Sequence, residues 1–197
     1  MKRLLYTLLI ALTAAACTPR DRYITFTGFA QGGTYSVKLN LKGTDVRPEA
    51  IRDSVDAILV NIDNSLSGYN RKSLLSRFNA GEEIVPDSLF TDIYDRAVSI
   101  FEETDGVVDP ASAPLFDLWG FGFTEGEMPS ESTLRQVMSE SGMGRLKADM
   151  VEALQDDGHL YGRELLLESA GDTAPELNYN AIAQGYSCDV VARYLYS

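Results

Sequence analysis

The sequence predicts an α+β fold in one domain, on three observations. Near the N-terminus, apolar and polar residues alternate at strand spacing on either side of a glycine-rich bend. Further along, apolar residues recur at helical spacing between recognisable start and stop signals. The chain has 197 residues, 45% of them hydrophobic, enough for one real core, and carries no internal repeat or proline-rich linker that would mark a second domain.

The first element expected is a hairpin. YITFTGFAQGGTYSVKLNL, from Tyr23 to Leu41, reads as two strands with Gln31, Gly32 and Gly33 at the bend, and the second strand puts Tyr35, Val37, Leu39 and Leu41 on one face. Pro48 then opens a helix, where its missing N–H costs nothing, and Ile51, Val55, Ile58, Ile62 and Leu66 form its apolar stripe. Ser73 is placed to cap a short helix ending at Gly81. After Pro86, residues 87–104 form another amphipathic helix through Leu89, Ile93, Ala97 and Ile100. A further helix is expected from Ser130 to Ser141, before Gly142. Between Arg145 and Glu168, DDGHLYG reads as a hairpin turn and RELLLES as a strand, and a last helix runs from about Asn180.

The net charge of −12 leaves no basic surplus to neutralise phosphates, so no nucleic-acid partner is expected. The start, MKRLLYTLLIALTAAAC, has two basic residues, an apolar run too short to span a bilayer comfortably, and small residues before Cys17. This resembles the lipobox of bacterial lipoproteins, with Ala14 where Leu is more usual. It implies a signal peptide over residues 1–16, lipid on Cys17 as the mature N-terminus, and a membrane lipoprotein facing the periplasm or extracytoplasmic space. Cys188 is then left without a partner in the chain, and its apolar helical setting predicts a small buried residue.

Common catalytic constellations are excluded. His159 is the only histidine, in a DDGH turn context, which removes histidine-dependent triads and multi-histidine metal sites. There is no phosphate-binding Walker loop, and GFAQGGT lacks the spacing of a dinucleotide fingerprint.

Four stretches stand out instead, in this order: GFAQGGTYSVKL, SLSGYNRKSLLSRFN, DGVVDPASAPLFDLWGFG and LNYNAIAQGYSCDVV. Each has an ordinary structural explanation alone: Gly32 and Gly33 as turn residues, Tyr69 as a half-exposed aromatic, Asp109 as a turn starter, Trp119 as core. Together they resemble the ApbE-type flavin transferases, the FAD:protein FMN transferases. That family has an MGT turn, an S-x-Y segment ending in FN or LN, a stretch running into G-P-L-x-x-LWGFG, and a D-x-x-x-x-(A/G)-(K/E/Q)-G-Y helix start. The resemblance covers nearly all of residues 17–197.

The resemblance implies an ApbE-like, T-fold-related domain with mixed sheets and packed helices. It implies FAD contacts at Gly32, Tyr69, Val107, Val108, Asp109, Asn178 and Gln184, and one Mg²⁺ bond through the main-chain carbonyl of Ala181. FMN would pass from FAD to a Thr or Ser hydroxyl of extracytoplasmic redox proteins, with AMP leaving. Three positions depart from the family pattern: Gly32 stands for Met, Asn178 for Asp and Gln184 for Lys. Gln184 donates a hydrogen bond but supplies no positive charge near phosphate. The family's remaining metal ligands, an Asp and a Thr, belong to a C-terminal region that this sequence does not contain. The domain is therefore expected to be incomplete at its C-terminus, and inactive in this form. Two alternatives stay open: an FAD-binding lipoprotein without transfer activity, and an FAD pyrophosphatase releasing FMN and AMP.

The residues fit these requirements physically. A flavin dinucleotide needs close backbone approach to its pyrophosphate, a flat apolar surface for its rings and a few orienting polar groups. Gly32 offers the first and Tyr69 the second. The small residues from Ala181 to Ala183 would present helix N–H groups to a phosphate.

Overall fold

The computed structural model describes residues 22–82, 84–121, 128–145 and 176–197. Cys17 and its preceding segment, His159, and the turn and strand expected between Arg145 and Glu168 lie outside the described residues. Two compact units divide the chain, Met1–Ala57 and Ile58–Ser197.

In the first unit, β1 (Tyr23–Ala30) pairs antiparallel with β2 (Gly33–Asn40), in a register running from Tyr23 opposite Asn40 to Ala30 opposite Gly33. Gln31 and Gly32 make the two-residue turn, both at positive φ, 52° and 73°. That left-handed pair matches the twist of the strands it joins, and glycine adopts it without the Cβ penalty that Gln31 carries. Burial alternates along both strands, with Tyr35, Val37 and Leu39 on the half-buried face as expected. Tyr35 lies across Gly28, leaving no room there for a Cβ, and its hydroxyl donates to the Asp56 carboxylate. Asp56 belongs to α1 (Pro48–Leu66), and α1 also sends Arg52 to the Thr27 carbonyl at 3.3 Å. Among the described residues, Leu41, Ile51 and Val55 are the buried apolar residues of this unit.

Among its described residues the second unit contains the last turns of α1 and the helices α2 (Leu74–Asn79), α3 (Ser88–Glu103), α4 (Ala113–Leu118), α5 (Glu131–Glu140) and α6 (Ala183–Tyr196). Local chemistry sets their starts. Ser73, Asp87 and Ser130 each sit in extended backbone and accept the amide three residues on, from Ser76, Phe90 and Thr133. Asp87 also accepts a 2.8 Å bond from Ser65 of α1, so the cap of α3 holds two helices together. Ile62, Leu66, Leu75, Phe78, Phe90, Ile93, Ala97, Met143, Leu177, Tyr179 and Tyr186 form one core cluster.

The α+β class holds, and among the described residues the sheet is a single antiparallel pair. Two expectations are corrected. Trp119 is 46% exposed rather than core, and the Cys188 thiol is exposed on α6 rather than buried. Tyr186 and Ser187 are the buried residues of α6, and Cys188, next along the helix, points away from them. No helix among the described residues is long and apolar enough to cross a membrane.

Candidate functional site

Three of the four unusual stretches meet in the second unit. The loop before α2 is tied down by its own serines and asparagine. Ser67 Oγ accepts the amides of Tyr69 and Asn70 at 3.2 and 3.1 Å, while Ser73 and Ser76 hydroxyls donate to the Ser67 carbonyl at 2.6 and 3.1 Å. Asn70 Nδ2 reaches back to Asp63 of α1 at 3.0 Å. With the loop's serines and Asn70 turned inward, Tyr69 projects outward, 65% exposed.

Asn79 ends α2, and its carboxamide donates to the Leu177 carbonyl (2.8 Å) and accepts the Leu177 amide (2.9 Å). The Asn178 amide donates to the Pro110 carbonyl at 2.6 Å. Residues 177–180 are thereby held between the second and third stretches. Leu177 and Tyr179 are 2% and 1% exposed, so the alternating Asn178 and Asn180 face the other way. Asn180 Nδ2 donates to the Tyr69 hydroxyl at 3.3 Å.

These segments wall a cavity of about 310 Å³, at the small end of the range for ligand sites. Tyr69, Phe116 and Phe121 give it aromatic surface, the last two rings meeting edge to face at 6.1 Å. Asn178 and Asn180 offer amide groups, and Arg71, Asp117 and Glu176 bring charge. Burial, and then the nearby Asp117 carboxylate, push the Glu176 carboxyl above the usual carboxylate range. Aromatic faces beside a few orienting amides suit a planar heterocycle carrying polar substituents.

The expected site residues divide among several places. Tyr69 and Asn178 line this cavity. Ala181 lines a second one of about 550 Å³, with Asp92, Arg96, Tyr186 and Asp189. There the Tyr186 hydroxyl is pushed up to about 12, by burial and by its hydrogen bond to Asp92. Burial opposes ionisation of Asp92, but the Tyr186 hydrogen bond and the Arg96 and Arg193 charges prevail and hold its carboxyl below its ordinary value. Gln184 is exposed in the first turn of α6, and Val107 is 86% exposed. Val108 is half-buried, its amide donating to Thr104 Oγ1 at 3.2 Å. Gly32 sits at the hairpin turn of the first unit.

Asp109 is occupied structurally. Its Oδ1 accepts the Ala111 amide at 2.8 Å and the Met143 amide at 3.0 Å, with Oδ2 at 3.2 Å from the same Met143 nitrogen. The last helix begins at Ala183 rather than Asn180, and the amides of Ile182 and Ala183 both donate to the Tyr179 carbonyl, at 2.9 and 2.7 Å. Two of the N–H groups expected to face a phosphate are therefore satisfied within the chain. Among the described residues no three His, Cys, Asp or Glu side chains converge on a common point as metal ligands. The aromatic and amide groups fit a flavin, whereas a magnesium ion here would need oxygen ligands from phosphate and water besides any carbonyl. Asn79, Asn180, Phe116 and Phe121 were not singled out from the sequence, although Asn79 closes the FN ending of the second stretch and both phenylalanines fall in the third.

A sequence model described as the ApbE family matches residues 31–197. The chain belongs to the ApbE family. The FAD:protein FMN transferase of Vibrio cholerae is 26% identical over 204 residues, covering 100% of this chain and 56% of that protein. Its Haemophilus influenzae counterpart is 26% identical over 193 residues, 94% of this chain and 53% of the relative. The ApbE-family chain therefore spans about half the length of the relatives it matches. Among solved structures, the apo flavinyl transferase ApbE of Pseudomonas stutzeri superposes with a TM-score of 0.71 at 29% identity, over 89% of this chain and 53% of that one. The Vibrio cholerae flavin transferase ApbE gives a TM-score of 0.71 at 21% identity, over 90% and 54%, a likeness of fold.

Proposed function

We propose that the full-length protein is an FAD:protein FMN transferase. The observation that carries this reading is the cavity walled by three of the four family stretches, with the Tyr69, Phe116 and Phe121 rings beside the amides of Asn178 and Asn180. The relatives named as FAD:protein FMN transferases support it. In the reaction, a Thr or Ser hydroxyl oxygen of an acceptor redox protein bonds to the FMN-side phosphorus of FAD. The bond from that phosphorus to the bridging oxygen breaks, AMP leaves with the oxygen, and the hydroxyl proton passes to solvent or a base. Tyr69 would offer a flat face to the ring system, Asn178 and Asn180 would fix its orientation, and Arg71 would place positive charge near phosphate. Magnesium, held in part by the phosphates and the Ala181 carbonyl, would supply charge neutralisation when bound. Lipid on Cys17 would keep this activity at the extracytoplasmic membrane face, beside its acceptors.

The full-length protein, incubated with FAD, MgCl₂ and a flavin-acceptor protein, is expected to leave covalent flavin on the acceptor, seen as fluorescence that survives denaturing electrophoresis and as a mass increase of one FMN unit. No labelled acceptor contradicts the transferase reading. The uncharged Gln184, where the family commonly has Lys, favours one alternative, an FAD-binding lipoprotein: tight binding without AMP release would mark it. Free FMN and AMP without labelling would mark a pyrophosphatase instead.

A further inference from the structure

We infer that Asn79 is a positioning residue for the flavin dinucleotide, acting through residues 177–180. The inference rests on the flavin reading of the cavity and deepens it. Both polar functions of the Asn79 carboxamide are used on one residue: Nδ2 donates to the Leu177 carbonyl at 2.8 Å and Oδ1 accepts the Leu177 amide at 2.9 Å. The side chain thus imitates the pairing of a neighbouring strand across 98 residues of sequence.

Such a two-point clamp holds the peptide groups on both sides of the Leu177 Cα, and with them the rotation of that residue. In an extended segment side chains alternate, so the phase of one residue sets that of its neighbours. With Leu177 and Tyr179 turned into the core, Asn178 and Asn180 reach the cavity, and Asn180 meets the Tyr69 hydroxyl. The Asn178 N–H, on the same peptide unit as the Leu177 carbonyl, donates to the Pro110 carbonyl, whereas the Leu177 N–H, on the preceding peptide, is held by Asn79.

Neither leucine nor an ionised aspartate, both of similar size, does the same. Leucine keeps the volume and loses both bonds, leaving the Leu177 N–H and C=O unsatisfied. An ionised aspartate accepts from the Leu177 amide but sets a negative oxygen against the Leu177 carbonyl. A protonated aspartic acid carries both an O–H donor and a C=O acceptor, and restores the pair.

The full-length protein and its Asn79→Leu and Asn79→Asp variants are compared for FAD affinity, KM for FAD and kcat, from neutral to mildly acidic pH, well below each variant's melting temperature. Both variants are expected to raise the FAD dissociation constant and KM by roughly tenfold at neutral pH, with kcat much less affected. The Asn79→Asp deficit, taken against wild type at each pH, shrinks as the pH falls, while the Asn79→Leu deficit does not. Amide hydrogen exchange at Leu177 to Asn180 in ligand-free protein follows the same pattern. Unchanged exchange and FAD affinity in both variants, or identical pH responses of the two, overturn the inference. Wild-type protein that binds no FAD while exchange still follows the pattern contradicts the flavin reading and leaves the clamp established.

Discussion

Replacing Phe90 with alanine is expected to destabilise the protein by about 3–5 kcal/mol. Phe90 is 1% exposed in the first turn of α3, and its ring meets Phe78 at 5.9 Å and Tyr179, edge-on, at 6.3 Å. One side chain therefore joins three elements: α3, the helix ending in Asn79, and the segment carrying Asn178 and Asn180. Truncation removes the transfer free energy of the ring and leaves a cavity whose walls are fixed by helix caps, so little collapse is available to offset it. The Asp87 cap on the Phe90 amide depends on backbone and survives the change. Denaturant unfolding should give a lower midpoint at similar slope. A loss below about 1 kcal/mol would mean that this cluster is not the packed centre of the second unit.

Asp109→Ala should cost about 2–3 kcal/mol, and Asp109→Asn about half of that. The carboxylate accepts the Ala111 amide within its own turn and the Met143 amide 34 residues away. Gly142, at φ +115°, lies so close that an added Cβ would stand 3.2 Å from Oδ2. Alanine leaves the Met143 amide without its charged acceptor, whereas asparagine keeps Oδ1 and loses the charge. Urea unfolding of the two variants measures the effect. A weakened FAD affinity at wild-type stability would instead return Asp109 to the role of a direct ligand contact.

What the sequence revealed was what local chemistry determines. Ser73, Asp87 and Ser130 cap helices because each side-chain oxygen reaches an amide three residues on, and Pro48 opens α1 where no hydrogen bond is lost. The hairpin was equally legible, since Gly32 at the bend and the alternation along β2 specify turn and face together. The grouping of motifs was legible only through family resemblance, because nothing local links Asn79 to Leu177 or Asp109 to Met143. Those bonds depend on tertiary placement of segments far apart in the chain. The misplaced burial of Cys188 has a similar origin: periodicity identified a helix but not which of its faces meets the core. Likewise the Tyr179 carbonyl takes the amides of both Ile182 and Ala183, which delays the start of α6 past the residues expected to begin it.

The central claim is that the second, third and fourth sequence stretches build one FAD-binding cavity. The most direct measurement is hydrogen exchange of the full-length protein with and without saturating FAD. Slowed exchange confined chiefly to residues 67–71, 116–121 and 176–180 is the predicted result. FAD binding that leaves all three segments unchanged, with protection elsewhere, would contradict it.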